Sequence, residues 1–169
     1  MGLFDGRKAQ KRYEAGSRAL ARGDFAVAIR DLHEATLFRP DWVEAQHDFG
    51  IALIAAADFG QRNRDPDVQA DHIQELATEA ARAFQAVLRL QPEFPEAHNN
   101  RGRALVKLDR LTEAEEEFRI ALRQRPGYTP AASNLGWIRA QMELLIDSDE
   151  EGFDTTLALE TREHVMQQG

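Results

Sequence analysis

Five histidines, three serines and a run of carboxylates are the side chains on which catalysis in this chain would have to draw. His33, His47, His72, His98 and His164 show no His-Glu-x-x-His or similar metal spacing. Ser17, Ser133 and Ser148 do not stand in a nucleophile elbow. No Gly-rich loop is placed to cradle a phosphate. Glu113, Glu115, Glu116 and Glu117 read as the charged, solvated face of a helix. The chain has no cysteine, which excludes disulfides, thiolate zinc sites and thiol nucleophiles. Asp147, Asp149, Glu151 and Gly152 imitate the front of a calcium loop, but Ala158 stands at the twelfth position, where a bidentate Glu is needed. The expectation is a non-enzyme with no metal and no cofactor.

Recognition is the chemistry that remains. Asn99, Asn100 and Asn134 each offer an amide donor and an amide acceptor. Arg103, Trp137 and Tyr13 are of the types that dominate binding hot spots. Such residues act only if a scaffold aligns them, so the elements that carry them come next.

Two stretches superpose without a gap. Ala9 to Trp42 holds Gly16, Phe25, Ala28, Leu32, Ala35 and Pro40; Pro95 to Tyr128 holds Gly102, Leu111, Ala114, Phe118, Ala121 and Pro126. In both, Gly to Ala is 12 residues, Ala to the large apolar residue four, then three to Ala and five to Pro. Small residues let two helices approach, large ones fill the space between them, and the prolines end each unit. No segment alternates with the period of a strand. The 34-residue pattern resembles the tetratricopeptide repeat. That resemblance implies an all-α, right-handed solenoid of helix-turn-helix units. A second unit lies between the two, with Gly50 in its first half and Ala80, Phe84, Val87 and Pro92 in its second. The expected organisation is a lead-in over 1–8, repeats over 9–42, 43–94 and 95–128, and a half-repeat over 129–146. An acidic turn and a C-terminal capping helix or tail follow over 147–169.

The middle unit carries 18 extra residues near 58–76. Asp65-Pro66 reads as a helix start, so its second helix is expected to run about 25 residues as far as Leu90. The resulting hairpin projects beyond its neighbours. Phe59, Val68 and Ile73 on it would form a second contact site if exposed.

The resemblance also implies a concave groove lined by the first helix of each repeat. Mapped onto this chain, the partner-binding residues are Tyr13, His47, Asp48, Asn99, Asn100, Arg103, Asn134 and Trp137. Asn100 and Asn134 hold the same repeat position, where family members can grip a ligand backbone; Glu14 and Asp48 replace Asn in the earlier repeats. Some family members hold the terminal carboxylate of chaperone tails with a Lys and Asn cluster. Here Tyr13, Ser17, Asp48, Glu96 and Asn100 stand at those positions, so that clamp is absent. Trp42 reads as a packing staple before a helix and His98 as a packing residue.

The 169 residues carry 29 acidic and 21 basic side chains, for a net charge of -8. Such a balance argues against general nucleic-acid binding. The charge is uneven: Arg7, Lys8, Lys11, Arg12, Arg18 and Arg22 crowd the start, and the end is acidic. No apolar run is long enough to span a bilayer, and no secretory signal opens the chain, so a cytoplasmic protein is expected. The functional expectation is a non-catalytic scaffold that binds another protein through an extended peptide segment in the groove. The alternative is a self-assembling protein that joins head to tail, basic start onto acidic end.

Overall fold

A computed structural model describes residues 3–63 and 70–144. Six helices are bounded within it: α1 Leu3–Ala21, α2 Phe25–Phe38, α3 Val43–Asn63, α4 Ala70–Leu90, α5 Pro95–Lys107 and α6 Leu111–Gln124. A seventh, α7, is described over 129–144. No strand occurs among the described residues. The capping helix or tail expected over 147–169 lies outside them, as does Val68.

Consecutive helices pair as α1 with α2, α3 with α4 and α5 with α6, and each pair leans on the next through α2–α3 and α4–α5. One device repeats in every pair. A Cβ built on Gly16 would lie 2.6 Å from Leu32 Cγ, one on Gly50 2.7 Å from Phe84 Cζ, and one on Gly102 2.5 Å from Phe118 Cε1. The glycine is therefore the notch into which the second helix inserts its largest side chain, and Leu32, Phe84 and Phe118 are essentially sealed from water. The turns between paired helices follow the same template. Gly23 in the first unit and Asp109 in the third both take positive φ, at 76° and 58°. Asp24 caps α2 by accepting from the Val27 amide at 3.3 Å. Pro95 opens α5 at its first turn, where its missing N–H would have no partner anyway.

One difference from the sequence expectation matters. The helix of the opening unit begins at Leu3, so residues expected as a lead-in are its first turns. As expected, the middle hairpin is long: α3 and α4 have 21 residues each, against 13 in α5 and 14 in α2 and α6. The Asp65-Pro66 helix start that the sequence suggested lies outside the described residues.

The first helices of the units touch directly, α1 with α3 and α3 with α5, whereas α2, α4 and α6 do not touch one another. The α1–α3–α5 layer is thus the tighter, inner face of the stack. Helix α7 extends it by packing Ile138, fully buried, against Leu105 and Phe118. At the position of α7 that matches Leu53 and Leu105 stands Arg139, whose Nε donates to Glu115 of α6 at 3.0 Å. A charged residue where the inner units place a buried one gives α7 a polar outer side.

Candidate functional site

Two hydrogen-bonded groups of polar side chains cross the inner face from α1 to α7 and meet where His47 Nδ1 lies 3.7 Å from Asp48 Oδ1. The Tyr13 hydroxyl donates to Asp48 Oδ2 at 3.0 Å, and Ser17 Oγ donates to the same oxygen at 3.4 Å. Burial and the Asp48 carboxylate push the Tyr13 phenol above its ordinary pKa. The Tyr13 ring also rests on Trp42, with centroids 4.6 Å apart, and Arg39 covers the other ring at 4.5 Å. Trp42 is therefore the packing residue the sequence suggested. In the second group, Asn100 Nδ2 lies 3.4 Å from His47 Nε2. His47 is itself stacked on Phe94 at 5.1 Å, so its ring is held flat against the groove wall. Asn100 Oδ1 accepts from Asn99 Nδ2 at 3.3 Å and from Arg103 at 3.4 Å. This group ends where Asn134 Nδ2 donates to Asn99 Oδ1 at 2.9 Å.

Asn99 departs from its expected role. It is only 3% exposed, and both amide groups are spent on Asn100 and Asn134. It orients its two neighbours from beneath and offers no surface to a ligand. Asn100 and Asn134, the pair at matching repeat positions, are each partly exposed and joined through it.

Beyond these groups, Asp58 on α3 gathers two cations of α5. Arg103 donates to it at 2.8 Å, and Lys107 pairs with its other oxygen while donating to Gln61 at 2.7 Å. These contacts hold the far end of α3 to α5. Together with Trp137 and Asn134 they rim a pocket of about 170 Å³, floored by Val106 and Phe118. Trp137 is 52% exposed, with its ring forming one wall. Sequence reasoning named Arg103, Asn134 and Trp137 but not Asp58 or Lys107, which the extension of α3 brings to the site. The signal was present: Asp58 lies eight residues beyond the notch glycine Gly50, on the stretch by which α3 outruns α5.

The second contact site expected on the hairpin is described only in part, since Val68 lies outside the described residues. Ile73 is half-buried and packs on the core, and Phe59, though 51% exposed, lies 5.7 Å from the Phe25 ring. The acidic face on α6 is also corrected. Glu117 is 7% exposed; it accepts from Arg101 and lies 2.7 Å from His98 Nδ1, whose other nitrogen lies 3.1 Å from the Pro92 carbonyl. Glu117 thus ties α6 to α5, and His98 is the packing residue expected. No cluster of His, Asp and Glu among the described residues could hold a metal ion. No helix among them is long and apolar enough to cross a membrane.

Residues 74–129 match a family model described as tetratricopeptide repeat. The first TPR domain of the human RPAP3 protein superposes with a TM-score of 0.68 at 17% identity, covering 85% of this chain and 98% of its own. The first TPR of Spaghetti (RPAP3), bound to an HSP90 peptide, gives 0.67 at 17%, covering 82% and 95%. MamA gives 0.61 at 22%, covering 76% and 64%. These likenesses show the fold: helix pairs stacked as helix-turn-helix repeats.

Proposed function

We propose that this tetratricopeptide-repeat chain is a non-catalytic binding module whose inner groove takes an extended peptide segment of another protein. The carrying observation is the pocket beside Trp137. Its apolar floor and exposed indole, next to the linked amides of Asn100 and Asn134, join one side-chain anchor to a strip of backbone partners. A cavity of about 170 Å³ suits one large side chain rather than a cofactor, since small-molecule sites run from roughly 300 Å³ upward. The indole and Arg103 supply contact area with few rotamers lost.

The Spaghetti domain holds a peptide of sequence SRMEEVD. At the other end of the present groove Glu14 and Glu44 are exposed, and Asp48 accepts from Tyr13 and Ser17. Glu96, at a position where a clamp Lys would stand, pairs with Arg125. That end disfavours an acidic tail and favours a peptide with a cationic residue there and a large apolar residue at Trp137.

Selection of peptides from a random display library on the purified protein tests this reading. Recovered sequences should share a large apolar residue, and Trp137→Ala and Arg103→Ala should each abolish their capture while the helical circular dichroism stays unchanged. Recovery of peptides that bind both variants as well as the wild type would sink it.

A further inference from the structure

The outer side of the solenoid holds a larger cleft that the groove reading does not use. It lies between α2 and α4, which do not touch, with α3 as its floor. Its volume is about 700 Å³. The floor is Phe49, on which His33 of α2 is stacked at 5.2 Å. One turn past His33, Leu37 is 64% exposed. The α4 wall carries Asp71, Glu75 and Glu79 at successive spacings of four, with Arg82 as the one basic side chain on that wall. His72 lies 3.6 Å from Glu75. Asp71, Glu79 and Arg82 have no ion-pair partner among the described residues, whereas the acids of α2, α5 and α6 are mostly paired. Like charges four apart on a helix repel by a few tenths of a kcal/mol per pair, so this wall gains from a cationic visitor.

The chain itself carries a matching surface. On α1, Arg7, Lys11 and Arg18 are exposed, have no ion-pair partner among the described residues and fall on one side of the helix at spacings of four and seven; the exposed Arg22 follows just past its end. Glu14 interrupts them, but it accepts from Gln10 at 2.9 Å. This side of α1 faces away from α2 and α3, since Ala9, Gly16 and Ala19 are the residues α1 buries. Arg7 to Arg18 spans about 16.5 Å of helix and Asp71 to Glu79 about 12 Å at 1.5 Å per residue, so the basic row is long enough to cover the acidic one.

We propose that the α2–α4 cleft docks the basic side of α1 from a second copy of the chain. The two surfaces are different patches of one molecule, so the contact is heterologous and propagates into rings or open chains. It moves the acceptor of the basic helix from the acidic C-terminal stretch to the convex side of the second repeat, leaving the inner groove free in every copy.

Sedimentation velocity on the full chain tests it with two neutralising variants. Arg7→Gln, Lys11→Gln and Arg18→Gln together remove the donor side; Asp71→Asn, Glu75→Gln and Glu79→Gln together remove the acceptor. At low salt the wild type should form species larger than a dimer that dissociate as ionic strength rises. Each variant alone should sediment as a monomer. An equimolar mixture should give a one-to-one dimer and stop there, because only one intact donor and one intact acceptor remain to meet. Three results overturn the proposal: a wild type that stays monomeric at low salt, an acceptor variant that assembles as the wild type does, or a mixture of the two that fails to pair. The second of these would return the acceptor to the acidic stretch at 147–163.

Discussion

At the scale of single residues, the notch glycines decide the packing and Gly136 is their internal control. Gly102→Ala drives a methyl to within 2.5 Å of the Phe118 ring, which is only 1% exposed. Overpacking of this kind costs about 1–3 kcal/mol. Gly136 stands at the same repeat position on α7 but has nothing within 4 Å of a built Cβ. Gly136→Ala should therefore stabilise α7 slightly, by up to about 1 kcal/mol of helix propensity. Urea unfolding of the two variants should move their midpoints in opposite directions. Glu117 makes a second residue-scale case. Glu117→Ala leaves Arg101 and the buried His98 without their shared carboxylate, and should cost about 2–4 kcal/mol in the same assay. The register of each glycine with its large apolar partner was legible because the same 16-residue spacing recurs in the first and third units, Gly16 to Leu32 and Gly102 to Phe118. The role of Glu117 was not, because a run of four glutamates looks solvated until a partner 19 residues earlier, on another helix, is placed against it. Asn99 was misjudged for a related reason: repeat position says which helix face a residue occupies, but one step of 100° separates a groove amide from a buried one.

At the scale of elements, α1 is held to α2 by Arg12, which pairs with Asp31 at 2.9 Å and with Glu34 at 2.8 Å. The Asp31 carboxylate is almost wholly buried, and hydrogen bonds from Arg30 and the charges of Arg30 and Arg12 hold it below the usual carboxylate range in spite of that burial. A depressed value in the folded state means that the ion pair stabilises the protein at neutral pH. That contribution fades as pH falls through the ordinary carboxylate value and on toward the lower, folded-state one. Asp31→Asn should lower stability near neutrality and flatten the decline of the urea midpoint over that acid window. An equally steep decline in the variant would assign the acid sensitivity elsewhere. The length of the α3–α4 hairpin was legible from the 18 added residues, and its helices do outrun their neighbours. What the extension does was not legible. The apolar residues Phe59 and Ile73 were expected to mark a contact, yet it is the polar Asp58 and Gln61 that reach α5, through Arg103 and Lys107. Hydrophobicity along one helix cannot report which charges of the next repeat will lie opposite. The early start of α1 was missed because the repeat pattern itself begins only at Ala9.

At the scale of the whole molecule, the stack separates an inner face, where α1, α3, α5 and α7 are laced by amides and carboxylates, from an outer face opened by the α2–α4 cleft. The proposed peptide site lies on the inner face and the proposed acceptor of self-association on the outer, so the two are separable. Variants that block assembly should leave selected peptides bound with unchanged affinity. The protein has two tryptophans, Trp42 stacked under Arg39 and Trp137 at the rim of the groove pocket. Trp42→Phe leaves Trp137 as the sole indole, half-exposed and within reach of whatever enters. The most direct test of the groove is therefore the emission of this single-tryptophan protein during titration with a peptide from the library selection. The account predicts a saturable blue shift whose midpoint equals the Kd from calorimetry, and a loss of affinity of about 30-fold or more in Trp137→Ala, the size of a hot-spot residue. Full calorimetric binding with no change in Trp137 emission would contradict it.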